Sequence, residues 1–536
     1  MTPSTTIEFL IWLLIAASVI AVIAARLRIP YTVALVVGGL LLGSFHLPVL
    51  QKLFSHSPDW LTPDVSLIIF LPALLFEGSL KIQLRQLREN LVPIFLLATV
   101  GVFAATLISG LAVHYALGIP VLVALVFGSI VAATDPISVL AIFKDMAVDK
   151  RLSITVEGES LFNDGTAVVL YGILFGAVAS SHLQITAGIR DFVVDVAGGA
   201  AVGLVLGYVF SQLTHRVDDP GIEITLTTIL AYGSYLLAQS LHLSGVIATV
   251  GAGLMVGNFG VRTGMSSRTR IALWSFWEYA SFLINSILFL LIGLQVRMGD
   301  LLGMWRAILL TIAAVLAGRV LTVYGLVPVS NLFSPKIPLR WQHIMVWGGM
   351  RGALSLALVL SIGTAFPYRA QLLTMTFGVV AFTIVVQGIT MKPLIRLLGI
   401  GQSEDDDYSR ARVRQVAVAS ALSELEIMAG GQLISHPVYE QLRHELEARQ
   451  EDANKTVDTI FGENKGRLTE EFEVARRRLK TAERSAIEQA MHDGWVSANT
   501  AARLIEETDV HPDGSSATPP RSAPPEGNST QPDSSG

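Results

Sequence analysis

The chain has 536 residues, of which 52% are apolar and only 15% charged, and its mean hydropathy is +0.56. This composition excludes an ordinary soluble enzyme and indicates a helical membrane protein, because many apolar runs reach the roughly 18–25 residues that cross a bilayer. With no cysteine, disulfides and thiolate-held metals are excluded. No GxxxxGK[ST] phosphate loop occurs, which argues against ATP-driven pumping.

The apolar runs predict an all-α integral membrane protein with about thirteen transmembrane helices. They fall at residues 7–25, 31–45, 62–80, 91–115, 120–143, 157–180, 191–213, 222–240, 244–260, 271–296, 303–332, 339–364 and 370–397. The first run could pass for a signal peptide, but Arg26 and Arg28 follow it and no basic segment precedes it. That order predicts an uncleaved span with a translocated N-terminus. Loops after odd-numbered spans hold fourteen Lys and Arg, whereas those after even-numbered spans hold only Lys52, Arg190, Arg297 and Arg369. The bias puts the N-terminus outside and the C-terminal tail in the cytoplasm of a cell, or inner, membrane.

Two spans are interrupted. Thr134-Asp135-Pro136 breaks the fifth, and Gly348 to Gly352 breaks the twelfth. Proline removes a backbone donor and clashes with the preceding turn, while paired glycines weaken a helix. If the chain divides as six spans, a linker span and six, the breaks correspond and the halves are inverted, the arrangement that puts an ion site at the midplane of a secondary transporter. Gly199, Gly203 and Gly207 on the seventh span allow close helix approach, either within the chain or to a second subunit.

The sixth span opens with Glu157 to Asp164, EGESLFND, and puts carboxylates at membrane depth, where each costs about 2.5–3.5 kcal/mol on insertion scales. Helical period puts Ser160 and Asp164 on one face and Glu159 and Asn163 on a neighbouring one. Asp164 with Ser160 then offers the hard oxygen ligands a small alkali cation prefers. Asp135 and the loosened Thr134 carbonyl add more, giving an expected Na+ site of Asp164, Asp135, Ser160 and Thr134, with Asn163 also among the expected ion- and proton-binding residues. Burial favours the protonated form of a carboxylate and a bound cation the ionised form, so competition at one carboxylate couples the two movements. Glu159 is free to meet a fixed positive charge, and Arg351, which cannot lose its proton, is the expected partner. Glu77 at the end of the third span either joins this cluster or stands alone at the interface. Glu278, Asn285 and Arg319 on the tenth and eleventh spans form a second possible polar contact. His343 is a lone histidine near a span start.

After Ile400 the composition changes. Residues 401–536 hold 15 Lys and Arg against 25 Asp and Glu, leaving 23 against 18 for residues 1–400. An acidic tail behind a mildly basic membrane part suggests no nucleic-acid partner. Residues 401–509 read as a tail with polar amphipathic helices over 412–451 and 465–491, and residues 510–536, rich in Ser, Pro and Gly, as disordered. No motif in the tail implies a cofactor.

Five stretches in order, FLPALLFEGSL from Phe70, AATDPISVLAIF around Asp135, EGESLFNDGTAVVLY around Asp164, FWEYASFLINSILFLLIG from Phe276 and WGGMRGALSLAL around Arg351, resemble the sodium/proton antiporters of the NhaP and eukaryotic Na+/H+ exchanger type, within the monovalent cation/proton antiporter superfamily. The resemblance spans roughly residues 7–398. It implies two inverted repeats with a dimerisation domain and a six-helix core domain, whose unwound fifth and twelfth spans cross. It implies a homodimer working by an elevator-like movement of the core, with Asp164 as the ion- and proton-binding carboxylate. Asn163 holds the place of a second aspartate in electrogenic relatives, and Arg351 that of their lysine, which implies the electroneutral branch. Glu159 with Arg351 matches the family's stabilising ion pair. The expected activity is one Na+ or Li+ exchanged for one H+. Alternatives are K+/H+ exchange and, from other classes, a cation channel or a membrane sensor signalling through its tail.

Overall fold

The computed structural model describes residues 3–27, 30–44, 63–180, 184–214, 219–261, 265, 267–295, 298–363, 365–400, 404–430 and 434–463, with scattered positions beyond. The expected helix at 465–491 and the Ser/Pro/Gly-rich 510–536 lie outside the continuously described residues. The structured part forms two compact units, Met1–Ser403 and Glu404–Gly536.

In the first unit helix covers every expected span. The principal elements are α1 Pro3–Leu27, α2 Tyr31–Ser44, α3 Pro63–Lys81, α4 Leu91–Leu117, α5a Val121–Ile130, α5b Ile137–Asp145, α6 Lys150–Ser180, α7 Ile185–Thr214, α8 Pro220–Ser240, α9 Gly245–Gly260, α10 Ser267–Gln295, α11 Trp305–Ser330, α12a Leu339–Trp347, α12b Ala353–Ser361 and α13 Arg369–Leu397, with short helices at Leu84–Glu89 and Met298–Gly303. Among the described residues eight helices are long and apolar enough to cross a membrane, while α2, α5a and α9 are shorter apolar helices. Where lipid offers no hydrogen bonds, a helix satisfies each backbone group within its own segment, so an apolar run becomes helix almost regardless of propensity. The ends carry local signals: Asp219 accepts from the Ile222 N–H at 3.0 Å with Pro220 in the first turn of α8, and Gly118, at φ 69°, ends α4.

α6 differs from expectation. It begins at Lys150 and runs 31 residues, so Asp164 lies about 21 Å along its axis at 1.5 Å per residue. The polar turn before Glu157 continues the helix, and the stretch from Glu157 to Asp164 sits inside it.

Apolar burial among the described residues falls into three clusters, with α3, α8, α9, α12b and α13 shared between the first two. One cluster joins α4, α5a, α6, α11, α12b and α13 through Val113, Phe127, Leu170, Val315, Leu358 and Val379. Another joins α1, α2, α3, α8, α9 and α10 through Leu13, Leu35, Phe76, Leu230, Ala252 and Leu290. Glycine allows the closest approaches. A Cβ at Gly39 of α2 would lie 2.5 Å from the Leu290 carbonyl of α10. Gly199, Gly203 and Gly207 of α7 face Ser244, Ala248 and Ala252 of α9, so within this chain that stripe already has a partner.

In the second unit, α14 (Glu404–Gly430) and α15 (His436–Glu463) pack on each other. They bury Ala411, Leu425, Ala453 and Val457, with Gln415 donating to Asn454 at 2.6 Å.

Candidate functional site

The two breaks meet. The Asp135 N–H donates to the Met350 carbonyl at 2.7 Å, so the extended turn of one interrupted span is bonded to that of the other. Each break leaves two helix ends whose backbone groups lack intrahelical partners. The charged side chains complete those ends. The Asp135 carboxylate accepts from the Ile137 N–H at 3.0 Å at the start of α5b, and also from the backbone of Ala353 at the start of α12b. Arg351 donates through Nη1 to the carbonyls of Ala132 (2.7 Å) and Ala133 (3.0 Å), just past α5a. Arg319, from α11, donates to the Met345 carbonyl in the last turn of α12a at 3.2 and 3.0 Å. Anions thus sit at helix N-termini and cations at C-termini, the sense in which helix dipoles favour them. Gly352 is needed because a Cβ there would collide with the Asp135 carboxylate, and Gly349 because a Cβ would lie 2.6 Å from Arg319 Nε.

This geometry corrects the expected ion pair. Glu159 pairs with Arg319, not Arg351: both carboxylate oxygens meet the guanidinium, Oε2 at 2.9 Å from Nη2, with Glu159 only 1% exposed. Glu159 points from α6 toward α11, while Arg351 is committed to the carbonyls past α5a. Glu77 belongs to neither and pairs with Lys81 one turn along α3. The second expected contact also dissolves: Arg319 goes to Glu159, Glu278 is exposed, and Asn285 faces elsewhere. His343 Nδ1 meets the Tyr324 hydroxyl of α11.

Beside the crossing lies a cavity of about 140 Å³. Ser160 and Asp164 line it from α6, with Thr134 and Asp135 from the first break and Gly352, Ala353 and Ser355 from the second. Glu157 of α6 and Glu77 and Gly78 of α3 line it further along, and Ser281 and Asn285 close it from α10. Glu157 precedes Asp164 by about 10 Å of helix rise. One residue past Asp164, Gly165 packs so closely on Ile247 of α9 that a Cβ there would collide with it.

The four expected ligands, Asp164, Asp135, Ser160 and Thr134, are therefore brought together, in different states. Asp164 is half-buried and makes no hydrogen bond or ion pair among the described residues. Ser160 donates its hydroxyl to the Thr134 carbonyl and keeps oxygen lone pairs for the cavity. Asn163, also expected among the ion ligands, is not on the cavity wall. Its amide donates to Thr134 Oγ1 at 2.6 Å and accepts from the Thr134 N–H at 3.3 Å, so it holds Thr134 in position. Glu157, Ser281, Asn285 and Ser355 were missed as wall residues. Glu157 was legible, three residues from Ser160 on the same helical face; the others lie on helices whose approach no local pattern records.

Comparison with known proteins gives the family and the fold. Residues 13–397 match the family described as "Sodium/hydrogen exchanger, transmembrane". The chain is 38% identical over 511 residues to the Na+/H+ antiporter NhaG of Bacillus atrophaeus, covering 92% of this chain and 95% of that one. It is 40% identical over 403 residues to the Na+/H+ antiporter ApNhaP of Aphanothece halophytica, covering 74% and 75%. In fold it is similar to the sodium proton antiporter MjNhaP1 of Methanocaldococcus jannaschii, with a TM-score of 0.62 at 22% identity over 74% of this chain and all of that one.

Proposed function

The chain belongs to the sodium/hydrogen exchanger family, a multi-pass membrane transporter and not an enzyme, and we propose that it exchanges one Na+ for one H+ by competition at Asp164. The observation that carries this reading is the state of that carboxylate: it faces a cavity, beside the Ser160 oxygen, with no bonded partner among the described residues. The other charges at the crossing are held in place. Asp135 is bonded to two helix N-termini, Glu159 to Arg319, and both arginines are guanidinium groups that keep their protons. With Asn163 neutral, one carboxylate takes up either one cation or one proton, and the cycle moves no net charge.

The cavity extends from Asp164 toward the ends of α3 and α6 that carry Lys81 and Lys150, while Gly165 packs closely on Ile247 one residue past Asp164. By the positive-inside bias those ends lie in the cytoplasm of a bacterial-type inner membrane, and the site is open inward. The α4–α6/α11–α13 bundle would carry the ion past the other bundle, working as a homodimer surrounded by lipid. Li+ fits the same oxygen ligands. K+ is the nearest competing substrate, because carboxylate and neutral oxygens do not by themselves set ion size.

Purified protein in liposomes with an internal pH dye tests the reading under Na+, Li+ or K+ gradients. Wild type should move protons with Na+ whether or not the membrane potential is clamped, and Asp164→Asn should be silent while remaining folded. Exchange retained by Asp164→Asn would remove this carboxylate from the mechanism. Transport that follows the potential would overturn the one-for-one stoichiometry and implicate a second titrating carboxylate, Asp135 first.

A further inference from the structure

Besides the Asp164 carboxylate, two neutral oxygens on the cavity wall have no hydrogen-bond partner among the described residues. Asn285 is 2% exposed and Ser355 1% exposed, and neither Asn285 Oδ1 nor Ser355 Oγ has a hydrogen-bond partner among the described residues. Both side chains line the cavity that holds Asp164. The Asn285 amide group donates to Ser281 Oγ at 3.3 Å, one turn back on α10, which leaves its carbonyl oxygen as the unsatisfied end. A buried polar atom without a partner costs about 1–3 kcal/mol, and native proteins seldom tolerate it without a ligand or ordered water. Here two such atoms face the same space as an unpaired carboxylate. Among them they form a set of oxygen donors, one charged and two neutral, of the kind hard cations take.

We propose that Asn285 Oδ1 and Ser355 Oγ are further ligands of the transported monovalent cation, completing its shell opposite Asp164 and Ser160. The proposal rests on the reading of Asp164 as the exchanging carboxylate. The two ligands differ in one respect. Ser355 lies in the first turn of α12b, whose Leu354 and Leu358 share an apolar cluster with α6 while its Leu356 packs in the cluster of α10, and we take this helix to move with Asp164. Asn285 belongs to α10, whose Ile284, Ile287 and Leu290 lie in the other cluster. If the two bundles shift against each other during transport, Ser355 stays with the ion and Asn285 does not. Asn285 then strengthens binding only when the site opens to the side it faces here. Its loss on the other side would ease release.

The test compares wild type, Ser355→Ala, Asn285→Ala and Asn285→Ser in proteoliposomes of known orientation, varying Na+ on one face at a time. Ser355→Ala should raise the half-saturating Na+ concentration about tenfold from both faces, the factor that 1.4 kcal/mol carries. Asn285→Ala should raise it about tenfold from the face on which the cavity opens and leave the other unchanged. Maximal rates at saturating Na+ should persist, and Asn285→Ser, which keeps an oxygen, should fall between. Stabilisation of each detergent-purified variant by Na+ against thermal unfolding gives a second readout, because a weakened site loses ligand-induced stabilisation. Wild-type half-saturation from both faces in both alanine variants would overturn the proposal, as would lowered maximal rates with unchanged half-saturation, the signature of a purely structural role. Equal shifts from both faces in Asn285→Ala would overturn its one-sided role. None of these results bears on Asp164, whose own variant tests the parent reading.

Discussion

Glu159 and Asp164 are five residues apart on one helix and stand in opposite circumstances. Around Glu159 every charge is bonded: Arg319 joins it to the end of α12a, Arg351 closes the end of α5a, and Asp135 holds the starts of α5b and α12b. On the cavity wall Asp164 is half-buried with no bonded partner among the described residues, and unsatisfied oxygens of Asn285 and Ser355 face the same space. The first region uses charge to hold two broken helices together where water cannot. The second leaves a carboxylate without a bonded partner among the described residues, the state that the proposed exchange requires. Depth in the membrane does not separate the two roles, since both carboxylates lie in the middle of α6. Bonding does.

The contrast can be broken by removing a charge from the bonded region. Arg319→Ala should strand Glu159 as a buried unpaired carboxylate and destabilise the protein by about 3–5 kcal/mol, read as a large fall in the thermal midpoint in detergent. Replacing both partners together, Glu159→Leu with Arg319→Met, should recover much of that loss. A stable Arg319→Ala variant would mean the pair is not what holds α6 to α11. A smaller effect should come from Gly352→Ala, whose new methyl group meets the Asp135 carboxylate. Overpacking of this kind costs about 1–3 kcal/mol, and the displaced Asp135 should lower exchange as well as stability; normal transport in this variant would show that the crossing tolerates a shift at its centre. The smallest change is expected at Lys392→Ala. The Lys392–Asp145 pair, at 3.0 Å, has a mostly exposed aspartate, and surface pairs contribute about 0–1 kcal/mol. Exchange and melting should be nearly unchanged, which sharpens the distinction between bonded charge inside the bundle and bonded charge at its edge.

Much of the site is legible along single helices. The i, i+4 spacing puts Ser160 and Asp164 on one face, and both line the cavity. Thr134-Asp135-Pro136 and Gly348 to Gly352 mark the breaks because proline and paired glycine act on their own turn. The partner of Glu159 was assigned wrongly for a reason of the same kind. Arg319 and Arg351 both lie inside spans, either could satisfy a buried carboxylate, and only the path of α11 past α6 selects Arg319. Asn163 shows the limit from the other side: its helical face is predictable, but that the face meets Thr134 and not the cavity is not.

What this chain's sequence determined by itself is everything that follows from contact with lipid and from backbone chemistry one turn at a time: membrane helices, their interruptions and the carboxylates that burial makes costly. Tertiary structure alone decided which charges are neutralised by one another and which face the cavity without a bonded partner among the described residues. That choice depends on distances of a few ångströms between helices remote in sequence, as with Glu159 and Arg319, 160 residues apart, and electrostatic pairing in a low-dielectric interior is settled at that range.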